Sequence, residues 1–110
     1  MSYGKMNTAI DIVQKQKIKD SEGFSIETDI VLVSVRAYRE GRHGTEKWAN
    51  RAAFSEATDL FCFRRISSMT VTTAMVIVCG DGRFEITSVE DVKGRGMYIE
   101  VLAKEVKPSG

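Results

Sequence analysis

The sequence predicts a mainly β fold: a small six-stranded antiparallel β-barrel or sandwich with one short helix between strands 2 and 3. Short segments alternate apolar and polar residues or are rich in β-branched residues, as strands are. Glycine, aspartate and serine cluster between these segments, as they do in hairpin turns. One stretch of good helix formers interrupts this pattern after the second strand.

The first two strands are predicted at the start of the chain. AIDIVQKQK alternates isoleucine with polar residues, and it leads into a turn that contains Asp20, Ser21 and Gly23. IETDIVLVSVRAYRE is the second strand. Its alternation is expected to place four residues on one face: Val31, Val33, Val35 and Ala37.

The predicted helix follows the second strand. Gly41 and Gly44 end the strand pattern, Thr45 is a suitable N-cap, and Glu46 in the first turn complements the helix dipole. Trp48 and the alanines that follow it would form one apolar stripe. A helix of about ten residues is not stable alone, so it is expected to dock on another surface.

Four further strands complete the predicted fold. TDLFCFRR places Phe61 and Phe63 on one side, and MVIVCGDGRFEITSVED contains two strands joined by a short turn. MYIEVLAKE is the last strand, with its inward-facing residues predicted to be Ile99, Val101 and Ala103. Six short strands of this kind avoid exposed edges by closing into a barrel or a sandwich.

The composition is that of one globular domain, assigned to residues 1–110. The chain has 43% hydrophobic and 28% charged residues and a net charge of +1. No apolar run approaches the roughly 20 residues of a membrane-spanning helix, and the first residues lack the apolar core of a signal peptide. We therefore expect no membrane association. Cys62 and Cys79 have apolar neighbours and are expected to be small buried residues.

The glycine-bearing stretch CGDGRFEI suggests a phosphate-binding loop, but its surroundings indicate a hairpin. Phosphate loops precede a helix whose N-terminal amides converge on the anion, whereas Phe84 and Glu85 lead into a strand. An Asp-Gly pair between apolar runs is typical of a tight turn. The lone His43 has no catalytic partner and no zinc-site spacing to the cysteines. We therefore expect no enzyme, no cofactor and no metal site.

The order of these features resembles that of the phage head–tail joining proteins, also called head closure or head–tail adaptor proteins. SVRAYREGRHGTEKWANRAA is similar to the family's second strand, glycine-bearing loop and short helix, and ATDLFCFRRI to its next strand. TTAMVIVCGDGRFEITSVEDVKGRGMYIEVLAKEV resembles its most recognisable part. The resemblance covers about residues 7–106. Cys79 and the Arg64–Arg65 pair depart from the family pattern without disturbing the strands.

The resemblance implies a structural protein of the virion, assembled in the cytoplasm of the bacterial host. Such proteins form a ring beneath the portal of the filled capsid, which extends the DNA channel, helps retain packaged DNA and joins the tail. The implied partners are further copies of itself, the portal or adaptor protein, a tail-completion protein and double-stranded DNA in the channel. The rings commonly have twelve copies, and related connector rings have six.

The candidate contact residues lie in the only locally basic segment. Residues 36–51 contain five basic and two acidic residues, and they include the only tryptophan. Tryptophan and arginine are frequent interface anchors. The predicted subunit-interface or channel-facing residues are Arg39, Arg42, Lys47, Trp48 and Arg51. Two alternatives stay open: Trp48 plugs one end of the barrel, or the basic residues form an ordinary solvated loop.

Two other functions are weighed against the connector ring. An OB-like barrel that binds single-stranded nucleic acid would need exposed aromatic residues on a basic sheet face, whereas Phe61, Phe63 and Phe84 occupy predicted core positions. A small-molecule enzyme would need a catalytic constellation, which the sequence does not suggest.

Overall fold

The computed structural model describes residues 6–41, 56–94 and 96–106. Regular structure in this part consists of strands and one 3-10 turn, Val92–Gly94. The strands are β1 (Thr8–Lys19), β2 (Ser25–Gly41), β3 (Asp59–Arg64), β4 (Met75–Cys79), β5 (Gly82–Asp91) and β6 (Tyr98–Val106). The helix predicted between the second and third strands falls on residues outside the described part.

The six strands form one antiparallel sheet that closes on itself in the order β1-β2-β3-β6-β5-β4. The closing pair joins β1 to β4, with Ile12 opposite Ile77 and Val13 opposite Val76. The predicted mainly β fold of six antiparallel strands is therefore confirmed. Of the two predicted arrangements, a barrel or a sandwich, closure favours the one with a closed sheet, in which both edge strands are hydrogen-bonded to a neighbour.

The core fills the interior of the closed sheet. Phe61, Phe63 and Phe84 are fully buried, as predicted, and isoleucines of β1 and β4 pack against them. The rings of Phe61 and Phe84 meet edge to face, with centroids 5.2 Å apart. Burial of each such side chain contributes about 1.5–3 kcal/mol to folding, and the aromatic pair adds about 0.5–1.5 kcal/mol.

The predicted hairpin at the glycine-bearing stretch is confirmed. Only Gly80 and Asp81 separate β4 from β5, and Cys79 pairs with Gly82 across the turn. Gly80 has φ of 58°, a left-handed conformation that glycine adopts without strain. The stretch therefore returns one strand along another and does not begin a helix.

A β-bulge in β2 overturns the predicted face of Val31. Ile12 pairs with Val33, but the next residue, Val13, pairs with Val31, so Leu32 is an extra residue without a partner in β1. The extra residue shifts the alternation by one position, and side chains before it point to the opposite face from those after it. Val31 is consequently 55% exposed, whereas Ala37 is buried as predicted.

A second bulge lies in β5. Ile86 pairs with Ala103 and Ser88 with Leu102, which leaves Thr87 as the extra residue. The Thr87 hydroxyl donates a hydrogen bond of 3.1 Å to the carbonyl oxygen of Leu102.

No helix of the described residues is long and apolar enough to cross a membrane.

Candidate functional site

Arg39 is the predicted contact residue that falls within the described part, and it covers one end of the core. Its Nε donates a hydrogen bond of 2.9 Å to Oδ2 of Asp59. Its guanidinium carbon lies 5.0 Å from the ring centroid of Phe84 and 5.9 Å from that of Phe61, within cation–π range. Arg39 thus closes the end of the sheet where Asp59 and Cys79 also lie.

The electrostatics of Arg39 and Asp59 favour the charged pair. Burial alone would lower the pKa of Arg39, but the hydrogen bond and the negative charge of Asp59 outweigh it and raise that pKa. Asp59 is buried, and its other oxygen accepts a hydrogen bond of 2.8 Å from the Thr58 hydroxyl. The described partners of Arg39 are within its own chain, so its contact with a neighbouring subunit or with DNA stays a prediction.

The other four predicted contact residues lie outside the described residues. Their roles toward subunits or the DNA channel, and the alternative that Trp48 plugs the barrel, therefore stay predictions. These residues are Arg42, Lys47, Trp48 and Arg51.

The largest feature that sequence reasoning missed is a projecting hairpin, residues 15–30, which we name the β1–β2 arm. β4 pairs with β1 only over residues 11–14, and β3 pairs with β2 only over residues 38–41. Beyond residue 14 the first two strands pair only with each other among the described strands.

The tip of the arm is an ordered turn. Oδ1 of Asp20 accepts hydrogen bonds of 2.9 Å from the backbone N–H groups of Glu22 and Phe24. The backbone of Asp20 also exchanges bonds with that of Phe24 and Gly23, and Gly23 has φ of 88°. The turn predicted from Asp20, Ser21 and Gly23 is therefore confirmed, and it holds Phe24 in a position where its side chain is 67% exposed.

One face of the arm is charged and tied to β5. Lys15 lies 3.9 Å from both Glu27 and Glu85, and Nη2 of Arg83 donates a hydrogen bond of 2.8 Å to Oδ1 of Asp29. The hydrogen bond from Arg83 is the main reason that the pKa of Asp29 lies below its ordinary value, and partial burial opposes it. These contacts join the base of the arm to β5.

The opposite face of the arm carries exposed isoleucines, with Gln16 and Thr28 between them. Ile18 pairs with Ile26, and Ile30 lies four pairs further toward the body on the same face. These three side chains are 43–46% exposed, although each is large and apolar. Together with the exposed Phe24 they are large apolar side chains open to solvent, a feature that commonly marks protein contact when such residues cluster.

A second feature lies where β3 ends and β6 begins. A cavity of about 350 Å³ is lined by Arg64, Arg65, Ser67, Gly96, Met97 and Tyr98, and we name it the arginine cavity. The backbone N–H of Arg65 donates a hydrogen bond of 2.9 Å to the carbonyl oxygen of Met97. The carboxylate of Asp91 accepts from the N–H of Gly96 at 3.0 Å, which fixes the other wall.

Comparison with known proteins identifies the family. The family model described as phage head completion protein matches residues 1–106. The chain belongs to the phage head completion protein family. This agrees with the resemblance to head closure proteins, and it makes the protein a structural component of a phage head. Because the proteins of this family are structural, membership argues against an enzymatic role.

Two solved structures share the fold of this head completion protein. One is the solution structure of protein SF1141 from Shigella flexneri 2a, with a TM-score of 0.72 and 14% identity over 99% of this chain and 100% of that chain. The other belongs to the virion of a native gene transfer agent particle, with a TM-score of 0.57 and 16% identity over 93% and 96% of the two chains. No curated protein matches the sequence.

The described residues of this head completion protein contain no group of three or more histidine, cysteine, aspartate or glutamate side chains that could hold a metal ion. Cys62 is buried beside Leu60 and Ala57, and burial raises the pKa of its thiol to about 11. A thiol with such a pKa is a poor nucleophile, because the thiolate is the reactive form. The features of the described part that suit contact with other molecules are the β1–β2 arm and the arginine cavity.

Proposed function

We propose that this head completion protein is a subunit of the ring that joins a phage or prophage head to its tail. The ring docks under the portal, extends the DNA channel, helps retain packaged DNA and offers a face to the tail. The family match over residues 1–106 carries this proposal, because it assigns the chain to proteins that complete the head. The fold shared with a chain of a gene transfer agent virion supports it.

The shape of the subunit suits a ring. A rotationally closed ring needs two different adhesive faces on each copy, because each face meets the other kind on the next copy. The closed sheet encloses a core that involves few loop residues. The β1–β2 arm projects from this body with exposed apolar side chains, and the arginine cavity lies at other strands, so the described part offers two chemically different faces.

The aromatic residues disfavour binding of single-stranded nucleic acid. Stacking on bases needs exposed aromatic side chains on a sheet face. Phe61, Phe63 and Phe84 are 0% exposed and pack against one another and the isoleucines of the interior. The β-sheet therefore offers none of these three rings to a base.

The test is to remove the gene from the phage genome and image the particles by cryo-electron microscopy. We expect DNA-filled heads without tails, or heads that have lost their DNA, and plasmid-borne protein should restore complete particles. Reconstruction of the portal vertex should show an added ring of this fold below the portal. Complete, tailed particles in the absence of the gene would overturn the proposal.

A further inference from the structure

The tip of the β1–β2 arm presents an acidic and aromatic surface that has no partner in the described part of the chain. The carboxylate of Glu22 has no ion pair or hydrogen bond with any described residue, and the ring of Phe24 is 67% exposed. The Asp20 carboxylate holds both residues in place through its two backbone hydrogen bonds. Because the turn is ordered, little conformational entropy is lost when this tip binds.

The arginine cavity presents the opposite charge. Neither Arg64 nor Arg65 pairs with a carboxylate among the described residues, and Met97 at the rim is 60% exposed. A Cβ placed on Gly96 would lie 3.6 Å from Nη1 of Arg65, which locates this guanidinium beside the wall of the cavity. The volume of about 350 Å³ is at the lower end of the range for pockets that take ligands, and it suits one aromatic side chain.

The two surfaces are complementary in charge and in apolar character. Arginine binds carboxylates through paired, charge-assisted hydrogen bonds, and aromatic rings make favourable contacts with arginine and with methionine sulfur. Phe24 and Met97 are both exposed in the same molecule, so the tip does not occupy the cavity of its own chain. The occupant that fits both requirements is the tip of another copy.

We propose that the acidic tip of the β1–β2 arm, residues 20–24, docks into the arginine cavity of the next copy. Phe24 enters the cavity beside Met97 and Tyr98, and Glu22 pairs with Arg65. The contact is heterologous, since it joins two different surfaces, and a repeated heterologous contact closes into a ring when the rotation permits. The inference rests on the proposed function, because that function is what places many copies side by side.

Photo-crosslinking in assembled particles tests the contact. Phe24 is replaced by benzoylphenylalanine, and equal amounts of this variant grown separately on light and on heavy nitrogen are mixed and added to heads of a gene-deleted phage. The completed particles are purified, irradiated and digested, and crosslinks that join a light peptide to a heavy peptide identify contacts between copies. We expect crosslinks between copies to residues 64–67 or 96–98. Crosslinks to DNA, to another virion protein or elsewhere on this protein, or no crosslinks, would overturn the inference.

A charge exchange tests the ion pair independently. Glu22→Lys and Arg65→Glu should each lower the amount of this protein in particles by about tenfold or more, since opposed like charges replace an ion pair. The chain that contains both changes should recover most of the loss. Glu105→Lys and Arg36→Glu are matched controls, because both residues are exposed and lie away from the tip and the cavity. Circular dichroism melting checks that every variant folds.

The outcomes separate this inference from the proposed function. If the protein is present in particles and completes them, but the crosslinks lie elsewhere or the charge exchange does not recover assembly, the docking contact is wrong and the proposed function stands. If particles are complete and tailed without the protein, the proposed function itself is wrong.

Discussion

Gly82 begins β5 next to a buried ring, and this position has no space for a side chain. A Cβ added there would lie 2.8 Å from Cε1 of Phe84 and 3.3 Å from the carbonyl oxygen of Cys79. Phe84 is 0% exposed and packs edge to face on Phe61, so the ring is held on more than one side. The small size of this glycine is therefore part of the core packing.

We predict that Gly82→Ala lowers the free energy of unfolding by about 1–3 kcal/mol, because overpacking forces neighbouring atoms to move. Urea denaturation measures the change. Gly41→Ala is the control, since nothing lies within 4 Å of a Cβ added there, and it should change stability by less than about 1 kcal/mol. Equal losses for both variants would contradict the steric explanation.

The two cysteines differ in their surroundings, although the sequence suggested the same role for both. Cys62 is 0% exposed, whereas Cys79 is partly exposed and its sulfur lies 3.8 Å from Nη1 of Arg39. Burial raises the pKa of the Cys62 thiol to about 11, so very little of it is thiolate near pH 8.

We predict that iodoacetamide at pH 8 labels Cys62 at least about tenfold more slowly than Cys79 in the folded protein, because the thiolate is the reacting form. Peptide mass spectrometry over a time course measures both rates. In concentrated urea the two rates should become similar, which serves as the control. Similar rates in the folded protein would show that Cys62 is accessible.

At the scale of elements, ion pairs to β5 hold the β1–β2 arm. Asp29 on β2 accepts hydrogen bonds from Arg83, and Lys15 on β1 lies near Glu85. The pKa of Asp29 is lowered from 3.8, chiefly by the hydrogen bond from Arg83. A lowered pKa in the folded state means that the charged form stabilises the fold. This stabilisation is complete above the ordinary pKa and is lost as the pH falls through the lowered one.

We predict that Arg83→Gln raises the pKa of Asp29 toward 3.8, because it removes the cation that favours the carboxylate. The carboxyl carbon shift of Asp29, followed by NMR between pH 2 and 6, gives the midpoint. Arg64→Gln removes an arginine that does not contact Asp29, and it should leave this midpoint unchanged. An unchanged midpoint in Arg83→Gln would mean that the ion pair does not form in solution.

The bulges show how one extra residue redirects an element. Leu32 shifts the alternation of β2, so Val31, next to the arm, is exposed while Val33 packs against the core. Bulges also increase the local twist of a strand pair. The bulge therefore marks the place where the pair of strands leaves the closed sheet and becomes a projecting ribbon.

At the scale of the whole molecule, the core lies in the closed sheet and not in the arm. None of the residues of the core cluster lies between residues 15 and 30. Gln16 and Thr28 are paired across the arm, so the arm can be shortened at this pair without a change of register. Folding should depend on the closed sheet, and assembly should depend on the arm.

We predict that replacing residues 17–27 by Asn-Gly leaves the fold intact and abolishes incorporation into particles. Asn-Gly makes a tight two-residue turn, and the core keeps all its contacts, so the melting temperature should change by less than about 5 °C. Circular dichroism measures stability, and a plaque assay of a gene-deleted phage measures assembly. Normal plaques from the shortened protein would show that the arm is dispensable, whereas an unfolded variant would show that the arm belongs to the folding unit.

The local patterns of the sequence determined the strands, the turns and the aromatic core. Phe61, Phe63 and Phe84 could be assigned to the interior because alternation has a period of two along each strand. The turns at residues 20–24 and at Gly80 could be predicted because aspartate and glycine favour these conformations through their own chemistry. The order of these features also sufficed to suggest the head closure family, which the match over residues 1–106 confirms.

Only the tertiary structure decided the closure of the sheet, the exposure of Val31 and the two candidate assembly surfaces. The arm exists because β1 and β2 extend beyond the segments that pair with β4 and β3. The residues of one strand do not determine where a distant partner strand ends. The arginine cavity brings Arg64 and Arg65 next to Met97 and Tyr98, which are more than thirty positions away in the sequence. Contacts between distant segments depend on register and closure, and these are properties of the whole sheet.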